Sequence, residues 1–160
     1  MEFHKKKQMH CNSEEPADQS KGDQWDLTAV DVERRFVVSM VLGKRTRDTT
    51  RQLVKDFAGR TGKVPPALIT TDDCNTYADQ LLDQYGETVV PEGADKPGRS
   101  RKPFKQWPAG SVYATVNQTY AKGKVAAVHR KIVLGTEEDL ARVLNESSTS
   151  REINTSFVER

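Results

Sequence analysis

The sequence predicts an α/β domain, a mixed β-sheet with flanking helices, on three observations. Runs rich in β-branched and aromatic residues, such as Phe36 to Leu42, Ala67 to Thr71 and Val125 to Leu134, are separated by segments whose apolar residues recur every three or four positions. Glycine or proline borders most of these runs, as expected where a chain turns. The order strand, strand, helix, strand, helix places an extended segment after a crossover helix, the connection from which parallel pairing arises.

Residues 12 to 24 hold no aliphatic side chain larger than alanine and several turn formers, which predicts an exposed loop. Regular structure starts at Trp25. Trp25 to Asp31 and Arg35 to Leu42, joined by a short polar link and closed by Gly43, predict a hairpin whose second strand is largely buried. Thr46 or Asp48 can cap the next helix, because a side-chain oxygen there accepts from an unpaired N–H of the first turn. Leu53, Val54, Phe57 and Ala58 form its apolar stripe, and Gly59 or Gly62 stops it. Pro65 and Pro66 force an extended chain into the strand Ala67 to Thr71, which ends at Asp72. Tyr77, Leu81, Leu82 and Tyr85 mark a second helix, with Asp73 as its candidate cap and Gly86 as its terminator.

Residues 86 to 110 predict mostly loop. A second hairpin follows, Ser111 to Tyr120 and Val125 to Leu134 around Ala121-Lys122-Gly123-Lys124, where Gly123 supplies the positive φ of a tight turn. It is expected as an insertion into the domain at about 111–134. Thr136 with Asp139 resembles a capping box, and Leu140, Val143 and Leu144 give the last complete helix one apolar stripe. Asn154 or Thr155 then opens a further helical segment that carries Glu159.

At 160 residues, with 35% apolar and 30% charged side chains, the chain has the length of one domain with a generous polar surface. Its longest apolar run, Phe36 to Leu42, is far below the roughly 20 residues of a membrane span, and no N-terminal stretch has the pattern of a signal peptide. A cytoplasmic protein with no membrane partner is expected. Lys and Arg total 25 against 23 Asp and Glu, so only local clustering can argue for a polyanionic partner. Two clusters exist: His4-Lys5-Lys6-Lys7, and the segment Lys96 to Lys105 with five basic residues, of which Arg99, Arg101, Lys102 and Lys105 are the candidate nucleic-acid contacts. Phe104 or Trp107 can offer a stacking surface beside them, whereas a solvated linker is the plainer alternative. Cys11 and Cys74 lack any metal-binding or redox spacing and predict reduced thiols.

Leu68-Ile69-Thr70-Thr71-Asp72-Asp73 is an apolar run ending in paired carboxylates, so a buried strand delivers Asp72 to the edge of a sheet. Glu159 stands at the start of its own helical segment. Two carboxylates on rigid elements suit magnesium, which takes hard oxygen ligands and needs no His or Cys. Each also has a plainer role, Asp72 in a turn or cap and Glu159 as a surface carboxylate near a helix start. Asp31 also ends a strand, and either meets Asp72 across the sheet or serves as the turn residue of the first hairpin.

Trp25-Asp26-Leu27-Thr28-Ala29-Val30-Asp31, Gly43-Lys44-Arg45-Thr46, Thr70-Thr71-Asp72 with Tyr77, and Asn154-Thr155-Ser156-Phe157-Val158-Glu159-Arg160 resemble, in this order, the transposases of the insertion-sequence-one type. The resemblance spans essentially the whole chain. It implies a ribonuclease H-like catalytic domain over 1–160 with an Asp-Asp-Glu triad and Mg2+ (or Mn2+) as cofactor, Asp72 matching the second Asp and Glu159 the Glu. Both are thus the candidate catalytic and metal-binding residues. Intact relatives would cut DNA at the ends of the element and join the freed 3′ hydroxyl to target DNA.

The match departs from the family in stated places. The first triad Asp would fall just before Met1, the family continues beyond the Glu-Arg pair, and Asp73 replaces a residue that is commonly Gly. The expectation is therefore a catalytically incomplete fragment, with DNA and a homo-oligomer or full-length transposase as partners. A non-catalytic DNA-binding module, or one that regulates a transposase, is the alternative.

Overall fold

The computed structural model describes residues 10–12, 14–19, 22–91 and 102–155. The described elements are α1 (Pro16–Gln19), β1 (Trp25–Asp31), β2 (Phe36–Gly43), α2 (Arg47–Arg60), β3 (Leu68–Asp72), α3 (Thr76–Tyr85), β4 (Glu87–Val89), β5 (Phe104–Gln106), β6 (Val112–Ala121), β7 (Lys124–Leu134) and α4 (Glu137–Glu146). The chain is therefore of mixed α/β class. None of the described helices is long and apolar enough to cross a membrane.

The principal sheet has the order β3-β6-β7, with β3 and β6 parallel and β6 and β7 antiparallel. As the central strand β6 is covered on both faces, which is why Val112, Tyr113, Ala114, Thr115 and Val116 are all buried. On one face α2 and α3 contribute Val54, Ala58, Leu81 and Tyr85 around Tyr113, with Phe57, Ile69 and Trp107 against them. On the other, Ala114 and Val116 meet Ile153 and Leu140 of α4. This arrangement corrects the expectation of an inserted hairpin at about 111–134. The first half of that hairpin is the core strand of the sheet, and only the part beyond Val116 projects.

β1 and β2 form a separate antiparallel pair. α2 ties it to the rest: Ser39 Oγ donates to Asp56 Oδ2 at 2.5 Å, while Val54 and Ala58 of the same helix belong to the core of the principal sheet. β2 is not largely buried, contrary to its composition. Ser39 faces α2, but Met40 and Leu42 point the other way and are 57% and 67% exposed, because no described element covers that face. Two further expectations change. α1 interrupts the predicted loop at 12–24, with the Asp18 carboxylate buried and accepting from Asn12 N at 3.1 Å. β4 and β5 pair antiparallel within the predicted loop at 86–110.

The helix signals hold. Thr46 Oγ1 accepts from Thr49 N at the start of α2, and Thr136 Oγ1 accepts from Asp139 N at 3.1 Å at the start of α4. α3 begins after Asn75 rather than on an Asp73 cap; the Asp73 carboxylate accepts instead from Asn117 Nδ2 at 3.1 Å. Lys122 and Gly123 both have positive φ, 52° and 74°, the backbone of a two-residue turn matched to strand twist. Cys11 and Cys74 are not joined in a disulfide.

Candidate carboxylate site at the end of strand β3

Asp72 is the last residue of β3, opposite Val116 of β6, and its side chain is exposed at the carboxyl edge of the sheet. The Arg45 guanidinium pairs with it, Nη2 donating to Oδ2. Arg45 lies in the link between β2 and α2, and its guanidinium carbon also stands 5.5 Å from the centre of the Trp25 ring. The two hydroxyls Thr50 Oγ1 and Thr76 Oγ1, 3.1 Å apart, join the first turns of α2 and α3 beside this pair. Arg47 reaches Asp79 at 3.2 Å between the same two turns.

Tyr77 lies behind Asp72 on α3. Burial pushes its hydroxyl up to about 12, and the Asp72 carboxylate adds to the effect because a second negative charge nearby disfavours the phenolate. Tyr113 is raised by burial as well, while its hydroxyl shares a 2.8 Å hydrogen bond with Thr71 Oγ1. Thr70 Oγ1 donates to Asn154 O at 3.1 Å, across 84 positions of sequence, so the segment leading toward Glu159 crosses β3 two residues before Asp72. Arg130 holds the same segment from β7, donating to Ile153 O at 2.7 Å and to Glu152 Oε2 at 2.6 Å.

Asp31 does not join Asp72. Its oxygens accept from Arg34 N and from Arg34 Nη1, both at 3.0 Å, and the backbone N–H of Arg34 is the main cause that holds its carboxyl below the usual range. It is the turn residue of the first hairpin. Trp25, at the other end of β1, is the residue near Arg45 and Asp72; six residues of strand, roughly 20 Å, separate Asp31 from that position. A cavity of about 600 Å3 opens between β1 and β3, with Ala29, Asp31, Leu53, Ile69 and Val143 among its walls.

Glu159, Arg99 and Arg101 lie outside the described residues. Lys102 is exposed, and Lys105 Nζ donates to Asp83 O at 2.7 Å at the end of α3. Phe104 is exposed on β5, but Trp107 is not a stacking platform: it packs edge-on against Tyr85 and donates from Nε1 to Ser111 O at 2.9 Å. Among the described residues no group of three or more His, Cys, Asp or Glu is placed to hold a metal ion. The described carboxylates at the end of β3 are Asp72 and Asp73, and magnesium is commonly held by one or two carboxylates together with waters and phosphates.

Trp25, Arg45, Asp72 and Tyr77, drawn from three of the four motifs singled out above, thus converge on one end of the molecule. The counterion role of Arg45 was not legible beforehand, because a contact across 27 positions between a link and a strand end leaves no periodic trace. No family model matches the chain, and neither a curated protein nor a solved structure matches it.

Proposed function

We propose that this chain is a DNA-processing domain of the insertion-sequence-one transposase kind, ribonuclease H-like in its sheet, with Asp72 and Glu159 as its candidate carboxylates. The observation that carries the reading is the hydrogen bond from Thr70 to the carbonyl of Asn154. It brings the chain five positions before Glu159 against the strand that ends in Asp72, which two carboxylates serving one cation require. The convergence of Trp25, Arg45 and Tyr77 on Asp72 supports it further. So does strand direction, since β1 starts at the end of the molecule where β3 stops. Mg2+ or Mn2+ is the cofactor of this reading, and DNA its partner.

The test is metal binding, which does not depend on turnover. Mn2+ titrated into the full chain and followed by electron paramagnetic resonance should find a site that Asp72→Asn and Glu159→Gln each weaken by about tenfold or more, since even outer-shell changes cost that much. Affinity left unchanged in both variants refutes the shared site. A non-catalytic DNA-binding or regulatory module is the second reading, favoured by the hold of Arg45 on Asp72; it requires DNA binding without any effect of metal.

A further inference from the structure

From Ser111 to Gly135 the chain contains no aspartate or glutamate, while Lys122, Lys124, Arg130 and Lys131 supply four permanent cations. The fold puts two of these charges, Lys124 and Lys131, on one face of the β6–β7 pair. Strand alternation puts Thr115, Asn117, Thr119 and Ala121 on one face of β6, and their partners across the ladder are Lys131, His129, Ala127 and Lys124. Lys122 sits in the turn between the strands. Arg130 falls on the opposite face, opposite Val116, where Glu152 and the carbonyl of Ile153 engage it. That opposite face continues toward the tip with Gln118, Tyr120, Val125 and Val128.

β3 stops at Asp72, opposite Val116, but β6 runs on for five residues to Ala121. At about 3.4 Å per residue the β6–β7 ribbon therefore extends roughly 17 Å past the edge of the sheet. Its cationic face is the one turned toward the carboxyl end of β3, because Asn117 of that face donates to Asp73 at 3.1 Å. Lys124 at the tip and Lys131 at the base of the ribbon share this face, with Lys122 in the turn beside Lys124, and a polyanion complements this row of positive charge.

We propose that this face of the ribbon binds duplex DNA, with Lys122, Lys124 and Lys131 on phosphates and Asn117, Thr119 and His129 offering hydrogen-bonding groups between them. Two strands about 4.8 Å apart enter a major groove about 12 Å wide. A lipid surface fits less well, since it would need the lysines directed the same way as Tyr120, Val125 and Val128, and they point oppositely. The inference deepens the DNA reading above by naming the surface that carries the duplex, and it rests on that reading for DNA as the partner.

The experiment is fluorescence anisotropy of a labelled 30-base-pair duplex with the full chain, in EDTA, over a series of KCl concentrations. Each lysine–phosphate contact adds about 0.9 to the slope of log affinity against log salt. The triple variant Lys122→Gln/Lys124→Gln/Lys131→Gln should flatten that slope by between about two and three and weaken binding on the order of a hundredfold near physiological salt. Lys55→Gln, on the exposed side of α2, should leave the slope unchanged, and all these positions are exposed, so the variants should melt with the parent. A wild-type chain that does not bind the duplex, a triple variant with the parental slope, or an equal loss in Lys55→Gln overturns the proposal. The absence of metal keeps this result separate from the Mn2+ titration, so a failed ribbon and a failed carboxylate pair are told apart.

Discussion

A methyl group added at Gly135 tests how the end of β7 is seated against the start of β6. Gly135 has φ of 102°, and a Cβ built there would lie 2.7 Å from Ser111 O and 3.1 Å from Val112 Cα. Both are backbone atoms of the most buried stretch of the sheet, so neither can swing aside as a flexible side chain would. The positive φ alone costs an L-residue about 1–2 kcal/mol. Displacing a packed strand adds about 1–3 kcal/mol, as other overpacking changes do. Gly135→Ala should therefore lose about 3 kcal/mol, a fall in Tm of roughly 6–12 °C for a domain of this size. Gly123→Ala is the control: its φ is 74°, but nothing lies within 4 Å of the added methyl, so the conformational cost of about 1 kcal/mol stands alone. Scanning calorimetry of the two variants separates crowding from backbone strain. Equal shifts in Tm would refute the packing of residue 135 against Ser111 and Val112.

Three other outcomes follow from contacts already described. Thr136→Ala removes the oxygen that caps α4 and should cost about 1 kcal/mol in urea unfolding, with Thr136→Ser restoring most of it; an unchanged midpoint would mean the cap adds nothing. Tyr77 has its folded pKa raised above the ordinary 10.0, so the neutral hydroxyl it needs is secure below pH 10 and stability is lost as pH rises toward about 12. The slope is at most about 1.4 kcal/mol per pH unit, and Tyr77→Phe should flatten that part of the alkaline unfolding profile relative to wild type. Asp72→Asn breaks an exposed ion pair and should change stability by less than about 1 kcal/mol. A thermal shift much larger than that would mark Asp72 as a structural residue rather than a functional one.

The parts of the fold written in local chemistry were legible from the residues. Thr46 and Thr136 announce helices because their hydroxyls satisfy N–H groups a few residues on. Gly123 announces a turn because a tight turn needs its positive φ, and the structure adds Lys122 at φ 52° beside it. Asp72 appears at a strand end because an apolar run stops there. What was not legible depends on neighbours distant in sequence. The Val, Phe and Met content of β2 resembles that of a covered strand, yet exposure is decided by which layer lies over Met40 and Leu42, and that is a property of the assembled fold. The parallel seat of β6 beside β3 was hidden for the same reason, since a hairpin looks alike whether or not its first strand has a second partner. β4 and β5, with three residues each, are too short to show any period. Within the candidate site Asp72 is legible from its own strand, whereas its bond to Arg45 joins that strand's end to a link far away in sequence.

The position of Arg45 has a consequence for anything that approaches Asp72. An incoming cation or hydrogen-bond donor competes with a guanidinium already seated on the carboxylate, so first encounters are slowed. The π face of Trp25, 5.5 Å from the same guanidinium, attracts its charge while it is seated on the carboxylate. The indole thus acts as a backstop that favours the guanidinium-occupied carboxylate over the vacated one. Replacing Trp25 with an aliphatic residue would loosen the latch without touching either charged partner.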